Sequence, residues 1–268
     1  MMYVIGGRYM IKAIFFDIDG TLLSYKSRVV PESTKQALKE LKEKGILTFV
    51  ATGRHVSELK DLPLHDLTFD GYITLNGQYC YNDQGTIYHL PIEKQDINAI
   101  LNRIDHNPFP CIFVEKEFMY INYNNEDVAL VQDYIATPLP DVNDLHRGLK
   151  EPIYQVIPYG IDETMEQEII TLMPHCKATR WHPLAIDIIP SFGGKQNGIK
   201  EVLKYYHIDI SETMSFGDGE NDLDMFDVTA ISIAMGNAKE MIKNKADYVT
   251  KDVDHDGIYH ALKHYHVV

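Results

Sequence analysis

The sequence predicts a doubly wound α/β protein whose parallel-sheet core is interrupted by an inserted α+β segment. Three observations carry that expectation. Short, continuously apolar runs recur, as at Ile14, Phe15 and Phe16, and such runs suit strands covered by helices on both faces. Strand-like and helix-like stretches alternate toward both ends of the chain, the pattern of a parallel sheet. Between them lies a stretch of different texture, punctuated by Pro108, Pro110, Pro138, Pro140 and Pro152.

Residues 11–17 read as the first strand. Ala37, Leu38 and Leu41 share one helical face, predicting a helix over 32–44 with Gly45 as its stop. Residues 46–50 and 72–75 are the second and third strands. After Asn76-Gly77, segments 78–81 and 86–90 flank Asn82-Asp83-Gln84-Gly85 and read as a hairpin. Strands over 111–114, 119–122 and 153–158 and helices over 126–135 and 163–172 fill the middle. Alternation resumes with a strand over 184–189, a helix over 196–206 and a strand over 213–217. A helix from about 220, a strand over 231–234, a helix near 238–243, a strand at 248–249 and a helix from 256 complete the chain. The expected division is a discontinuous core over 10–81 and 182–268, with an inserted domain over 82–181. No repeat and no low-complexity tract is present.

Hydrophobic residues make up 45% of the 268 and charged residues 24%, so a sizeable core is expected rather than disorder. Asp and Glu outnumber Lys and Arg by 39 to 25, a net charge of −14. That argues against nucleic acid and anionic membrane surfaces as partners, since both are gripped through Lys and Arg. A small anionic substrate stays compatible, because a site can gather local cations against the global field. Cys80, Cys111 and Cys176 are far apart and form no CxxC pair, which argues against a disulfide scaffold and a thiolate zinc site and points to a reducing compartment, the cytoplasm. No apolar run approaches the roughly 20 residues of a membrane span. Residues 1–9 lack the pattern of a signal peptide and read as an extension without functional weight. A monomer or weak homo-oligomer is expected.

Four segments carry chemistry. In Phe15-Phe16-Asp17-Ile18-Asp19-Gly20-Thr21-Leu22-Leu23, an apolar strand ends in two carboxylates one residue apart. Strand alternation puts both on one side, at the carboxyl end where ligands of open parallel sheets bind. Paired carboxylates invite a cation; an Asp-Gly turn is the plain alternative. Ala51-Thr52-Gly53-Arg54 follows the second strand and offers a hydroxyl and an amide to an oxyanion, or a helix cap. Lys195, after Gly193-Gly194, is a point charge suited to phosphate, or a surface lysine; Ile189 and Gln196 rule out a Walker A loop. Phe216-Gly217-Asp218-Gly219-Glu220-Asn221-Asp222 ends another strand with two more carboxylates, a ligand set for magnesium rather than zinc, or an acidic helix start. His260 and His264 share a helix face without further ligands, and neither HExxH nor GxSxG occurs.

Taken together, these segments resemble the haloacid dehalogenase-like superfamily of phosphatases. Asp17-Ile18-Asp19-Gly20-Thr21 matches its first motif, Thr52 its second, Lys195 its third, and Gly217 to Asp222 its fourth. The insertion between the second and third motifs, with Asn76-Gly77, Ala234-Met235-Gly236-Asn237-Ala238 and Asp256-Gly257-Ile258, resembles the Cof-like subclass IIB. Asp227-Val228-Thr229-Ala230 departs from the family pattern. The resemblance implies a Rossmann-like core with a cap that closes over substrate, and magnesium-dependent hydrolysis of a phosphomonoester on a small phosphorylated metabolite. It implies that Asp17 is the nucleophile and Asp19 the general acid and base. Asp17, Asp218, Asp222 and the main-chain carbonyl of Asp19 would hold Mg2+. Thr52, Gly53 and Lys195 would bind phosphate, with Asn221 orienting Lys195 or the phosphate. A phosphosugar mutase or phosphotransferase shares the same core, and a receiver-like phosphoacceptor is the alternative from a different class.

Overall fold

The computed structural model describes residues 10–135 and 137–268. Two compact units divide the chain. One comprises residues 1–89 and 194–268, and the other residues 90–193.

The first unit begins with β1 (Ala13–Phe16), whose four residues are all buried. Helix α1 (Glu32–Glu43) follows Pro31 and buries Thr34, Ala37, Leu38 and Leu41, the i, i+3, i+4, i+7 stripe of an amphipathic helix. Strands β2 (Leu47–Ala51), β3 (Gly71–Thr74), β4 (Tyr79–Asn82) and β5 (Gly85–His89) complete this half. The second unit carries α2 (Lys94–His106), β6 (Cys111–Val114), β7 (Met119–Ile121), α3 (Glu126–Tyr134), β8 (Asp141–Val142), β9 (Gln155–Pro158), α4 (Glu163–Leu172), β10 (Cys176–His182) and β11 (Ala185–Pro190). The chain then returns to the first unit with α5 (Lys195–Tyr206), β12 (Thr213–Gly217), α6 (Leu223–Phe226), β13 (Ile231–Ala234), α7 (Glu240–Lys243), β14 (Tyr248–Val249) and α8 (Gly257–His264). No described helix is long and apolar enough to cross a membrane.

The first unit's sheet has the order β14-β13-β12-β1-β2-β3-β4-β5. Its pairs are parallel from β14 to β3 and antiparallel at the β3–β4 and β4–β5 edge. Both faces are covered, and alternation along β1 shows it. Ile14 and Phe16 join a core that includes Ala37 and Leu41 of α1 and Ala261 and Leu262 of α8. Ala13 and Phe15 join another with Ile199, Val202 and Leu203 of α5. Phe16 stacks on Phe216 of β12 and Phe15 on Phe49 of β2, each at 5.1 Å between ring centroids. Such pairs add about 0.5–1.5 kcal/mol beyond area burial. From β1 the chain moves outward through β2 and β3 on one side, then through β12 to β14 on the other. β1 and β12 therefore flank the topological switch point, where open α/β sheets bind ligands.

The second unit's sheet has the order β10-β11-β9-β6-β7-β8. Its pairs are antiparallel except for β7–β8. Ile97, Ile100, Leu101 and Ile104 of α2 pack with Phe113, Val156, Ile186 and Ile188 on one side of this sheet.

Three expectations need correction. The domain boundaries at 82 and 181 fall instead at 89/90 and 193/194. The hairpin extends the first unit's sheet, with Tyr81 of β4 stacked on Tyr72 of β3 at 5.1 Å. The apolar segment 184–189 reads like a resumed core strand, but it pairs with β10, Cys176 opposite Pro190, and so belongs to the insert. The helix expected from 220 is a single 3-10 turn, Glu220–Asp222, followed by the four residues of α6. Outside the expected set lie α2 and β10. The extension over 1–9 lies outside the described residues.

Candidate active site

The site is built from the ends of β1 and β12. The amide of Asp17 donates to the carbonyl of Phe216 at 3.0 Å, which locks the two strand ends together. The chain then curls tightly: the Gly20 amide donates to the Leu23 carbonyl and the Leu23 amide to the Ile18 carbonyl, both at 2.8 Å. Gly20 has φ +82°, and a Cβ there would lie 2.2 Å from Asp218 Oδ2. Both the backbone sign and the space demand glycine.

This curl separates the two motif carboxylates, which alternation places on one side. β1 ends at Phe16, so strand geometry does not extend to Asp19. Its carboxylate instead accepts a two-point pair from Arg54, Nε to Oδ2 at 2.6 Å and Nη2 to Oδ1 at 2.8 Å. The acidic cluster consists of Asp17, Asp218 and Asp222, whose ligand oxygens all lie within 4.8 Å of one another.

Lys195 is the first residue of α5 and is fully buried. Its ammonium donates to Asp17 Oδ1 at 2.7 Å and to Asp222 Oδ1 at 2.6 Å. The other oxygen of Asp222 accepts the amides of Asp218 and Gly219, both at 2.9 Å. Asp222 thus folds back to close its own turn and hold the lysine, which is why the helix expected there is broken into a 3-10 turn. Both of its oxygens are occupied by protein donors.

Asp218 is held from two directions. Thr21 Oγ1 donates to Oδ1 at 3.3 Å, and Asn237 Nδ2 donates to Oδ2 at 3.1 Å and also to the Gly20 carbonyl at 2.9 Å. Thr52 is buried, and its hydroxyl accepts the Arg54 amide at 3.1 Å. The nearby 3-10 helix is capped by His55 instead, so the helix-cap alternative for Thr52 does not hold. Asn76 lies against Gly53: a Cβ there would meet Asn76 Oδ1 at 3.0 Å. Asn221 donates to Asn76 Oδ1 at 3.2 Å, not to Lys195. The expectation that Asn221 orients Lys195 is corrected: the Asp222 fold-back takes that place, and Asn221 stays exposed. Arg54 and Asn237 fell within segments singled out in the sequence, yet their partnerships were not foreseen, because each contact is long-range. In the divergent Asp227–Ala230 segment, Thr229 pairs with Ser215 of β12 at 2.6 Å.

Electrostatically the cluster is overloaded with negative charge. Burial, then Asp222, raises the Asp17 carboxyl well above its ordinary value, and Lys195 only partly opposes this. Burial and Asp222 push Asp218 up to about 7. For Lys195, burial disfavours the ammonium, but Asp17 and Asp222 outweigh it and raise its pKa. A carboxyl with a raised folded-state pKa keeps a proton that the unfolded chain has already lost, so unfolding releases protons and stability falls as pH rises through that window. For Asp218 the window runs from its ordinary value of 3.8 to about 7. In chelator, the melting temperature of the wild type relative to Asp218→Asn is expected to fall between pH 4.5 and pH 7.5, and excess divalent cation should reverse that fall, because it binds the ionised wild-type cluster more tightly than the variant. A wild-type-minus-variant difference that stays flat with pH would contradict this.

A family model described as haloacid dehalogenase-like hydrolase matches residues 14–262. The chain belongs to the haloacid dehalogenase-like hydrolases. The solved structure of BT1666, a phosphatase of this superfamily from Bacteroides thetaiotaomicron, is 35% identical, with a TM-score of 0.90 over 99% of each chain. The subclass IIB sugar phosphatase BT4131 is 38% identical, with a TM-score of 0.82 over 96% of this chain and 100% of that one. YkrA of Bacillus subtilis (strain 168) is 36% identical over 253 residues, 94% of this chain and 96% of its own. The enzyme is a haloacid dehalogenase-like phosphatase of the Cof type, and the receiver-like alternative is set aside.

Proposed function

We propose that this enzyme is a magnesium-dependent phosphomonoesterase acting on a small sugar phosphate through a phosphoaspartate at Asp17. The observation that carries the reading is the arrangement around Lys195, where one buried ammonium bridges Asp17 and Asp222 and a third carboxylate, Asp218, lies in the same cluster. The donor set fits magnesium. It consists of hard carboxylate oxygens, and the raised pKa of Asp17 and Asp218 marks a place short of positive charge. The sugar-phosphate class is supported by likeness to BT4131.

Asp17 and Asp218, with the main-chain carbonyl of Asp19 and a lesser part for Asp222, would hold the ion. When bound, the ion supplies charge neutralisation to the phosphoryl oxygens and keeps Asp17 ionised. Thr52, the Gly53 amide and Lys195 bind the phosphoryl oxygens, and Asn221 acts through Asn76 on the Gly53 loop. An oxygen of Asp17 attacks phosphorus, the bond from phosphorus to the alcohol oxygen breaks, and Asp19 gives that oxygen a proton. Asp19 then takes a proton from water as the water oxygen attacks phosphorus. The acyl-phosphate bond breaks, releasing inorganic phosphate and Asp17. Because Arg54 grips the Asp19 carboxylate, this pair opens before the proton is passed.

Phosphate release across a panel of sugar phosphates with magnesium tests the class. Multiple turnovers with hexose phosphates among the preferred esters are expected. Transfer of the phosphoryl group between sugar positions without net phosphate release would establish a mutase instead. Asp19→Asn should lower turnover of a sugar phosphate about 10²–10⁴-fold, the usual scale of general acid–base catalysis. The loss should shrink with 4-nitrophenyl phosphate, whose leaving group needs little protonation. A loss below about 10-fold on the sugar ester removes Asp19 from that role.

A further inference from the structure

Tyr25 follows directly on the turn that carries Asp17 and Asp19. The loop it opens is closed on itself by Ser24, which is fully buried. The Ser24 hydroxyl accepts the amides of Lys26 and Ser27, both at 3.1 Å. The Arg28 amide bonds the Ser24 carbonyl at 3.0 Å, and the Ser24 amide bonds the Val29 carbonyl at 3.3 Å. Four hydrogen bonds thus give the segment a defined shape. The ring edge reaches the acidic cluster: the Cβ position at Gly20 lies 2.4 Å from Tyr25 Cε2 and 2.2 Å from Asp218 Oδ2. The ring therefore lies in the field of Asp218, Asp17, Asp19 and Asp222. Yet Tyr25 is 59% exposed, and its hydroxyl has no partner among the described residues. The core tyrosines differ: Tyr79, Tyr120 and Tyr159 are at most 4% exposed. A large neutral ring fixed beside a phosphate site, with one side packed and the other open, is a recognition surface without an internal packing duty.

We propose that Tyr25 is a specificity-determining contact for the alcohol portion of the substrate, favouring phosphate esters whose alcohol carries a six-membered ring with a flat face. The assignment rests on the phosphomonoesterase reading above. An alcohol attached to a phosphoryl group at Asp17 must leave the cluster past its rim, and Tyr25 forms part of that rim. A neutral aromatic face suits this place better than a further charged group: another carboxylate would add repulsion to a cluster already overloaded, while a ring stacks on the C–H face of a pyranose or the π face of a heterocycle.

The test compares Tyr25→Ala and Tyr25→Phe on a hexose 6-phosphate, on pyridoxal 5′-phosphate and on acetyl phosphate, which has no ring. Tyr25→Ala is expected to raise KM for a ring ester about 10-fold relative to acetyl phosphate, with kcat changing less than about 2-fold. Tyr25→Phe should keep the wild-type ratio, because the face is retained. The hexose and pyridoxal arms separate a saturated from an aromatic ring. Equal KM changes on all three esters, no change on any, or a Tyr25→Phe loss as large as that of Tyr25→Ala overturns the proposal. Calorimetric binding of the preferred ring ester to Asp17→Asn, with and without Tyr25→Ala, reads the contact without turnover. Unchanged affinity there sinks the Tyr25 assignment alone. Failure of the wild type to release phosphate from any ester sinks the catalytic reading instead.

Discussion

Asp17→Asn is expected to abolish phosphate release while leaving the protein folded. The amide keeps the shape of the side chain but removes the anionic oxygen proposed to attack phosphorus, so no acyl phosphate should form. It also removes a candidate metal ligand and one of the two carboxylates that hold Lys195. The fold should tolerate this. Asp222 keeps its 2.6 Å bond to the same ammonium, and losing a buried carboxylate whose charged form is already disfavoured relieves repulsion within the cluster. Circular dichroism and the melting temperature are the structural controls. Turnover within about 10-fold of wild type would dismantle the mechanism, because general acid–base catalysis and phosphate binding alone do not supply the covalent step.

Exhaustive chelation is expected to remove activity just as completely, and magnesium to restore it. The substrate brings negative charge to a cluster of three carboxylates balanced by one ammonium, in a chain of net charge −14. Without a cation that approach is repulsive, and burial with the neighbouring carboxylates disfavours the charged form of Asp17. Calcium should restore little, because it accepts more ligands at longer distances than the octahedral geometry magnesium imposes. Asp218→Ala should raise the magnesium concentration needed for half-maximal activity. Asp222→Ala should act more on stability, since it strips the buried Lys195 of a partner and opens the 218–222 turn. Phosphate release in chelator, then after readdition of each cation, is the deciding assay. Full activity in chelator or equal support by calcium would take the metal out of the mechanism.

Much of this was legible from local pattern. The apolar run at Ile14 to Phe16 marks a strand buried on both faces, and both of its faces are filled. Short-range chemistry told where carboxylates, a lysine and a hydroxyl end strands. What stayed hidden depends on contacts between distant residues. Nothing near Asp19 announces that Arg54, thirty-five positions on, will take its carboxylate. Nothing near Asp218 announces Asn237. The boundaries were misread because an apolar strand looks alike in either sheet: only pairing with β10, whose half-exposed, charged sequence hides its strand character, assigns β11 to the insert. Helix α2 was different. Its Ile97, Ile100, Leu101 and Ile104 carry a clear helical period, but no capping residue starts it, with the Glu93 side chain at the N-cap accepting no backbone amide of the first turn.

The placing of β1 between β2 and β12 governs how the protein must come off the ribosome. β1 through β5 emerge first, and one edge of β1 has no neighbour until Thr213 to Gly217 arrive. Residues 90–212, 123 in all, separate β5 from that partner, a synthesis interval on the order of ten seconds. Throughout it the most apolar strand of the sheet presents an open edge, a template for pairing with other chains. The second unit can form meanwhile, since all of its strand partners lie within residues 111–190. Its folding also shortens the effective loop that must close before β12 docks. Asp17 and Asp218 meet only at that closure, so the acidic cluster assembles late. A nascent chain halted before residue 213 therefore holds Asp17, the proposed nucleophile, but neither Asp218 nor the Asp222 that steadies Lys195, and it is expected not to hydrolyse phosphate esters prematurely.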